Sequence, residues 1–446
     1  MESNKLLSSK QHGFRKDRSC LTHLLKDIDD ILQNTLNGDE SDVIYLDFAK
    51  AFDKVDHEIL IQKLKLHGIK GQLLIWIQNF LINRKQSVMV DGHHSTFSFV
   101  ISGVPQGSVL GPILLLIYIN DLQDCLKGST AGSFADDTRL TKSISSIEDT
   151  KTLQEDLAHV VQWSNANNMS LHEDKFEFLS YQSPNSKLLR ELPFTSEWLK
   201  YNSSTGQTIY PTNIVKDLGV HLSSDFKWSS HVNTIVNSAN MMANWVLSVF
   251  ADRSQTMMLT LYKSLIRSKL EYCCPVWNPS AIGDIQKLES TQRAFTKRIY
   301  ICKDMSYWDR LKKLGLFSLQ RRRERYIIIH MWKMLHGLSP NDIGSEFYEN
   351  PRLGIKVRIP SIKKSAIPSA KSIYDNSFAV TGPKHWNILP KYITSKGTLD
   401  SFKSSLTAFL QNRFPDLPPI SGYNPPNSNS LLEWSRQTGG LQQMAP

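Results

Sequence analysis

The stretch "GSFADDTRL" (132–140) places Asp136 and Asp137 side by side, directly after Phe134 and Ala135. Adjacent carboxylates repel, and the repulsion grows as the surroundings become less aqueous. A partly apolar turn gains no stability from such a pair, so the fold must bring something positive to it. A third acid has a similar setting. In "VIYLDFAKAFDKVDH" (43–57), Asp47 closes a run of apolar residues that reads as a short buried strand. An acid at a strand end and an Asp-Asp turn together supply the hard oxygen donors that Mg²⁺ prefers. Two-metal sites use such donors to hold one ion at an attacking oxygen and one at a leaving oxygen. Side chains two apart on a strand share a face. Phe134 and Asp136 are therefore expected on one side and Asp137 on the other, with Asp47 and Asp136 as principal ligands and Asp137 in support. Two unrelated surface turns remain the other reading at this level.

The rest of the chain constrains what surrounds these acids. With 446 residues, 40% hydrophobic and 21% charged, the composition is that of a globular protein of several domains. No apolar run reaches the ~18 residues that a membrane span requires, so no membrane partner is expected. The start "MESNKLLSSK" lacks the apolar core of a signal peptide, and an intracellular location, nuclear or cytoplasmic, is expected. Five cysteines without a C-x-x-C pair read as reduced thiols. The net charge is +10, and Ile285–Leu335 alone carries thirteen Lys or Arg against four Asp or Glu. That concentration points to a polyanion such as nucleic acid, or else to a solvated helix face.

Strand and helix signals alternate without repeats, which predicts an α+β fold. A first helix is expected within residues 1–38, a strand over 42–48, and a helix over 56–67 capped by Asp56 and ended by Gly68. A hairpin is expected at 87–103 around Asp91-Gly92. A Gly/Pro loop should lead at 103 into the buried helix "PILLLIYI". Strand–turn–strand follows at 131–141, a helix at 147–165, and strands near 169–182 and 214–222. Beyond Trp228 the period becomes helical. Ser229 and Ser230 are possible caps, and helices are predicted from there through Val246, over Met258–Ile266, and near 284–301, 308–314, 318–337 and 398–413. Residues 350–385, rich in Pro, Ser and Lys, read as an extended connector. The tail from 416 to 446 is expected to stay unfolded.

Three segments in order, "YLDFAKAFDKVDH", "GVPQGSVLGPILLLIYINDL" and "FADD", resemble the central motifs of non-LTR retrotransposon (LINE-type, jockey-like) reverse transcriptases. The resemblance spans about residues 10–410. It implies a right-hand polymerase: partial fingers at 1–40, a palm at 41–225 with a fingers segment at 54–100, thumb-like helices at 226–280, and a basic helical region at 281–415. It implies an RNA-directed DNA polymerase that joins a dNTP to a primer 3′-hydroxyl. Its partners would be an RNA template, a DNA primer and dNTPs, and its cofactors two Mg²⁺ ions, with Mn²⁺ as a substitute. A catalytically weak nucleic-acid-binding remnant of such an element is the alternative.

Carried over residue by residue, Asp47, Asp136 and Asp137 fill the family's catalytic and metal-binding positions. Lys175, in "NMSLHEDKFEFL", stands where a lysine meets the nucleotide phosphates, although His172 replaces the Asn often found three residues before it. Phe52, five residues after Asp47, corresponds to the aromatic that would collide with a ribose 2′-hydroxyl. Phe48, Gln106, Gly107 and Arg15 are the other expected nucleotide-binding residues, Arg15 coming from "QHGFRKDRSC". Ser108 reads simply as a cap of the following helix. Leu218 and Gly219 in "KDLGVHL" resemble the hairpin that grips the primer end. The mixture of cations and aromatics around Arg321, Arg322, Arg323 and Arg325 suits contact with a nucleic-acid backbone. Against the family pattern, further fingers motifs, an upstream endonuclease and a zinc knuckle are missing, so the resemblance reads as a 5′-truncated product.

Overall fold

The computed structural model describes residues 6–182, 200–362, 368–413, 430–432 and 435. Two compact units emerge, one of residues 1–23 and 33–215, the other of residues 24–32 and 216–446.

The first unit is an α+β body built on a five-stranded sheet. The first helix, α1 (Cys20–Asn37), starts at a Ser19 capping box and ends at Gly38 in the left-handed region (φ 85°). The strands are β1 (Glu40–Leu46), β2 (Thr130–Phe134), β3 (Asp137–Ile144), β4 (Glu177–Tyr181) and β5 (Pro211–Thr212), in spatial order β5-β4-β1-β3-β2. β1 runs antiparallel to β3, from Glu40 opposite Ile144 to Leu46 opposite Thr138. It is also antiparallel to β4, ending at Tyr45 opposite Glu177. β1 is buried at six of its seven positions, because helices cover the central strands. Leu60, Leu64, Leu114, Leu115, Leu153, Leu157 and Val160 form one core with Ile44, Leu140 and Phe178. Burial of this kind stabilises by about 25 cal/mol per Å² of apolar surface.

Local chemistry explains most element boundaries. The Asp56 side chain accepts the amides of Glu58 and Ile59 and so starts the helix His57–Leu66. At 85–99 the chain folds back through short paired strands. Asp91 (φ 49°) and Gly92 (φ 81°) form the turn, as a type I′ hairpin demands. Ser108 Oγ accepts the Gly111 amide at 2.9 Å and so caps the buried helix Leu110–Tyr118.

The second unit is mainly helical. Its longer helices are Ser229–Val249, Ile282–Thr296, Leu319–Leu335, Phe378–Asn387 and Leu399–Arg413. Trp332, Trp386 and Phe402 are almost fully buried, and the Phe402 ring stacks 5.4 Å from Trp332 and 5.9 Å from Trp386. Several expectations need correction here. Ser229 begins its helix without capping it, its hydroxyl donating instead to Asp284 Oδ2 at 2.7 Å. The helix expected over 258–266 contains a π-helical turn at Tyr262–Ile266. The helix expected at 284–301 stops at Thr296. Residues 350–385 are not an extended connector: Phe347–Asn350 pairs with Gly354–Val357, and the helices Pro368–Asp375 and Phe378–Asn387 follow. Tyr374, Phe378 and Val380 are buried, so packing overrides the Pro/Ser/Lys composition. Most of the tail lies outside the described residues. Leu431, which is described, is buried and donates its amide to Glu324 Oε1 at 2.9 Å, against the expectation for that stretch. Among the described residues no helix is long and apolar enough to cross a membrane.

Candidate active site

The acids singled out by sequence meet at one end of the sheet. Asp47 directly follows β1, Asp137 opens β3, and Asp136 lies in the two-residue turn between β2 and β3. One step beyond Leu46–Thr138, the β1–β3 register sets Asp47 across from Asp137. On the other side the β1–β4 ladder ends at Tyr45 opposite Glu177. Beyond it the pairing shifts, with Asp47 O accepting the His172 amide at 2.8 Å and Phe48 bridging Leu171. Lys175 comes from the short 3₁₀ turn Glu173–Lys175, and its Nζ pairs with Asp47 Oδ2 at 2.8 Å. Strand register thus aligns Asp137 with Asp47, and the turn adds Lys175. Strand alternation does not apply to Asp136, which is a turn residue.

Electrostatics bind the three acids into one group. Partial burial raises the Asp136 carboxyl above its ordinary value; a backbone hydrogen bond opposes this and the Asp47 charge adds to it. Asp137 is raised by desolvation first, then by Asp136 and Asp47. Like charges within mutual reach ask for a cation. The oxygen-only donor set fits a hard divalent ion, which usually takes one or two carboxylates and fills the rest of its sphere with water and phosphate oxygens. Among the described residues no cluster of three His, Cys, Asp or Glu side chains forms a ready-made metal cage.

Beside the acids, the "GVPQG" loop is tied to the segment after Asp47. Val104 donates its amide to Phe52 O and Gly103 its amide to Val55 O, each at 2.8 Å. A Cβ on Gly103 would come within 2.7 Å of the Asp53 Cα, so only glycine allows this approach. Gln106 is exposed and donates its side-chain amide to Asp53 Oδ1 at 2.9 Å. Gly107 is also exposed, with φ 81° and open space around it. Phe52 is half-buried, and the Phe14 ring meets it edge-on at 6.0 Å. Leu218 (φ 44°) and Gly219 (φ 83°) form the turn of the hairpin Ile214–Asp217/Val220–Ser223. That turn belongs to the second unit, where Tyr272 donates its hydroxyl to Leu218 O at 3.0 Å.

Other expected residues sit elsewhere. Phe48 is 4% exposed and packs edge-on against Trp163, which makes it a core residue rather than a nucleotide contact. Arg15 Nη1 donates to the carbonyls of Ser8, at 2.5 Å, and Gln11, so it is engaged with its own loop. The four arginines do not present a cationic face. Arg321 and Arg323 are 0% and 1% exposed. Arg322 forms a two-pronged pair with Glu271, and Arg325 donates to Thr407 Oγ1 at 3.1 Å. The helix turns its arginines inward because buried or half-buried acceptors await them there, which a charge count along the sequence cannot reveal.

Gln11 is the residue that sequence reasoning missed. Its buried side-chain amide spans the backbone of Ala135, in the turn beside Asp136. The available signal was the pair Gln11–Gly13 in "QHGFR", a polar side chain next to a glycine that permits close approach.

Residues 1–222 match the model of a family described as reverse transcriptase (RNA-dependent DNA polymerase). The chain is similar to the RNA-directed DNA polymerase from mobile element jockey of Drosophila funebris, 28% identical over 300 residues, covering 65% of this chain and 31% of that protein. It is similar also to the probable RNA-directed DNA polymerase from transposon X-element of Drosophila melanogaster, 26% identical over 314 residues, covering 68% of this chain and 33% of the relative. The chain thus spans about a third of the length of the curated relatives it matches.

Proposed function

Because this chain belongs to the reverse transcriptase (RNA-dependent DNA polymerase) family over residues 1–222, we propose that it copies an RNA template into DNA on behalf of a mobile element. The observation that carries the proposal is the gathering of Asp47, Asp136 and Asp137 at one end of a buried sheet, with Lys175 paired to Asp47. The reaction is attack of a DNA primer's 3′-hydroxyl on the α-phosphate of a dNTP. The new P–O bond forms as the bond to pyrophosphate breaks, and the hydroxyl proton leaves to solvent.

Asp47, Asp136 and Asp137 would hold two divalent ions, Mg²⁺ or in its place Mn²⁺, whose charge activates the primer oxygen and stabilises the departing pyrophosphate. The side chains do the rest by position and charge. Lys175, exposed and paired with Asp47, would offer its ammonium to a triphosphate oxygen. Phe52, fixed by the "GVPQG" loop, would stand beside the sugar and exclude a 2′-hydroxyl. Gln106 and Gly107, exposed on that loop, would face nucleotide and template. Leu218 and Gly219 would contact the primer end, and the helical second unit would serve as thumb and C-terminal region. An RNA template and dNTPs would be met inside the cell, in nucleus or cytoplasm.

The test is extension of a DNA primer on an RNA template with Mg²⁺ and dNTPs. Extension that disappears on chelation and in Asp136→Asn supports the reading. Extension that survives Asp136→Asn and Asp47→Asn refutes it. Tight binding of primer–template without any extension favours a nucleic-acid-binding role.

A further inference from the structure

We infer that Gln11 is a positioning residue of this polymerase site: its carboxamide clamps the Ala135 peptide and thereby fixes the turn that carries Asp136 and opens onto Asp137. The inference rests on the polymerase reading above and adds a residue that acts on the carboxylates without touching substrate.

The turn needs a clamp. Ala135 lies in the left-handed region (φ 57°), where a residue with a Cβ is strained and Gly or Asn ordinarily sits. Alanine has no side-chain group to hydrogen-bond its own backbone there. Strained residues of this kind persist only when their surroundings over-determine them. Gln11 supplies that constraint from 124 residues away. Its Oε1 accepts the Ala135 amide at 2.8 Å, and its Nε2 donates to the Ala135 carbonyl at 3.1 Å. Both bonds fall on one residue, which fixes that residue's N–H and C=O directions together. Oε1 also accepts the Gly13 amide at 2.7 Å. Two N–H donors converge on that atom, so the amide is oriented one way only; flipped, it would set NH₂ against them.

The surroundings hold Gln11 itself. It is 5% exposed. The segment is hung on the free edge of β2, with His12 N donating to Ser133 O at 2.9 Å and Ser133 N to Lys10 O at 3.1 Å. Gly13 packs so closely on the turn that a Cβ there would lie 2.2 Å from Ala135 N. The next residue, Phe14, meets Phe52. The "QHGF" stretch thus joins the acid turn to the aromatic expected to select the sugar.

The experiment compares the full chain with Gln11→Met, which keeps the length and removes both bonds, and with Gln11→Met/Ala135→Gly. Two readouts are taken: amide exchange resolved to residues 134–137, and steady-state primer extension. Gln11→Met should speed exchange at Ala135 and Asp136 by roughly tenfold, the worth of one buried hydrogen bond, while the β1–β3 ladder stays protected. Its kcat should fall by roughly 10- to 100-fold, as expected of misplaced catalytic groups, with KM for dNTP and primer–template affinity changed by no more than about twofold. Glycine adopts positive φ without strain, so Ala135→Gly should return much of the kcat. A variant with faster global unfolding but unchanged kcat per folded molecule, or with unchanged exchange at 134–137, overturns the inference. If exchange rises as expected but wild type itself fails to extend primers, the clamp stands and the polymerase reading falls. If wild type extends primers and Gln11→Met matches it, the clamp falls and the polymerase reading stands.

Discussion

A single methyl group at Gly13 should do more harm to catalysis than to folding. The Cβ of Gly13→Ala would lie 2.2 Å from Ala135 N and 2.9 Å from both Ala135 Cα and Phe134 C, whereas real Cβ atoms keep at least 3.0 Å. All three neighbours are backbone, so no flexible side chain can swing away. The segment and the turn must separate by about 0.8 Å to reach that limit and further to reach comfortable contact. Forcing an extra methyl into a packed position costs about 1–3 kcal/mol, which a unit with this core survives. The displaced residue, however, immediately precedes Asp136. A shift near 1 Å in a catalytic group costs on the order of 10²-fold in rate. Gly283→Ala is the control: the same methyl meets open space in a helix, and stability should hold or rise by up to about 1 kcal/mol. Chemical denaturation gives the stability change, and single-turnover primer extension at saturating dNTP gives the rate. A Gly13→Ala protein that melts and extends primers like wild type would show that the close approach of the two segments is not real, and would remove the main support for a rigid acid turn.

Three further outcomes follow from individual side chains. Phe52→Ala should raise the use of rNTPs relative to dNTPs, measured by competitive incorporation; an unchanged ratio would mean that the sugar is read elsewhere. Arg322→Met removes the two-pronged partner of Glu271, which keeps Arg267 at 3.5 Å and the Tyr326 hydroxyl at 3.2 Å, and should destabilise by about 1–3 kcal/mol. The salt dependence of primer–template binding should stay the same, and a flattened log–log slope would instead return Arg322 to the nucleic-acid surface. Burial lowers His12 to about 3, with help from Arg18 and Arg139, and lowers His231 and His330 to about 4. These rings are neutral when folded and titrate near 6.5 when unfolded, so their stabilisation is whole above that pH and lost as pH falls from 6.5 toward 4. At roughly 1.4 kcal/mol per unit, melting followed by calorimetry from pH 7 to 4 should fall steeply, and a flat profile would refute the buried neutral state.

What could be read from the sequence follows from how local each cause is. The Asp91-Gly92 turn, the Asp56 cap and the Ser108 cap depend on atoms a few residues apart, and each appears where expected. Residues 350–385 fail for the opposite reason. Their helices exist because Tyr374, Phe378 and Trp386 find partners far along the chain, while Pro, Ser and Lys dominate the local signal. The arginine run fails in the same way. Its charge is local, but its acceptors Glu271, Asn278 and Thr407 are 45 to 82 residues away.

The acid site lies between these cases. Each segment announced an acid near a strand end, and the ordered motifs identified their common purpose. Which carboxylate meets which neighbour was not legible, because that is a matter of register between strands about 90 and 130 residues apart. Fixing Leu46 opposite Thr138 sets Asp137 beside Asp47, whereas Lys175 reaches Asp47 from the turn Glu173–Lys175, beyond the end of the β1–β4 ladder at Tyr45–Glu177. Asp47 is held from that side by the His172 amide, which donates to its carbonyl at 2.8 Å. Of the three acids, Asp136 alone lies in a strained turn, held by Gln11. Stiffness at Asp47 and Asp137 is therefore a property of the sheet, whereas stiffness at Asp136 has to be supplied from outside it. Loss of Gln11 or crowding at Gly13 should consequently affect Asp136 first and leave the Asp47–Lys175 pair in place.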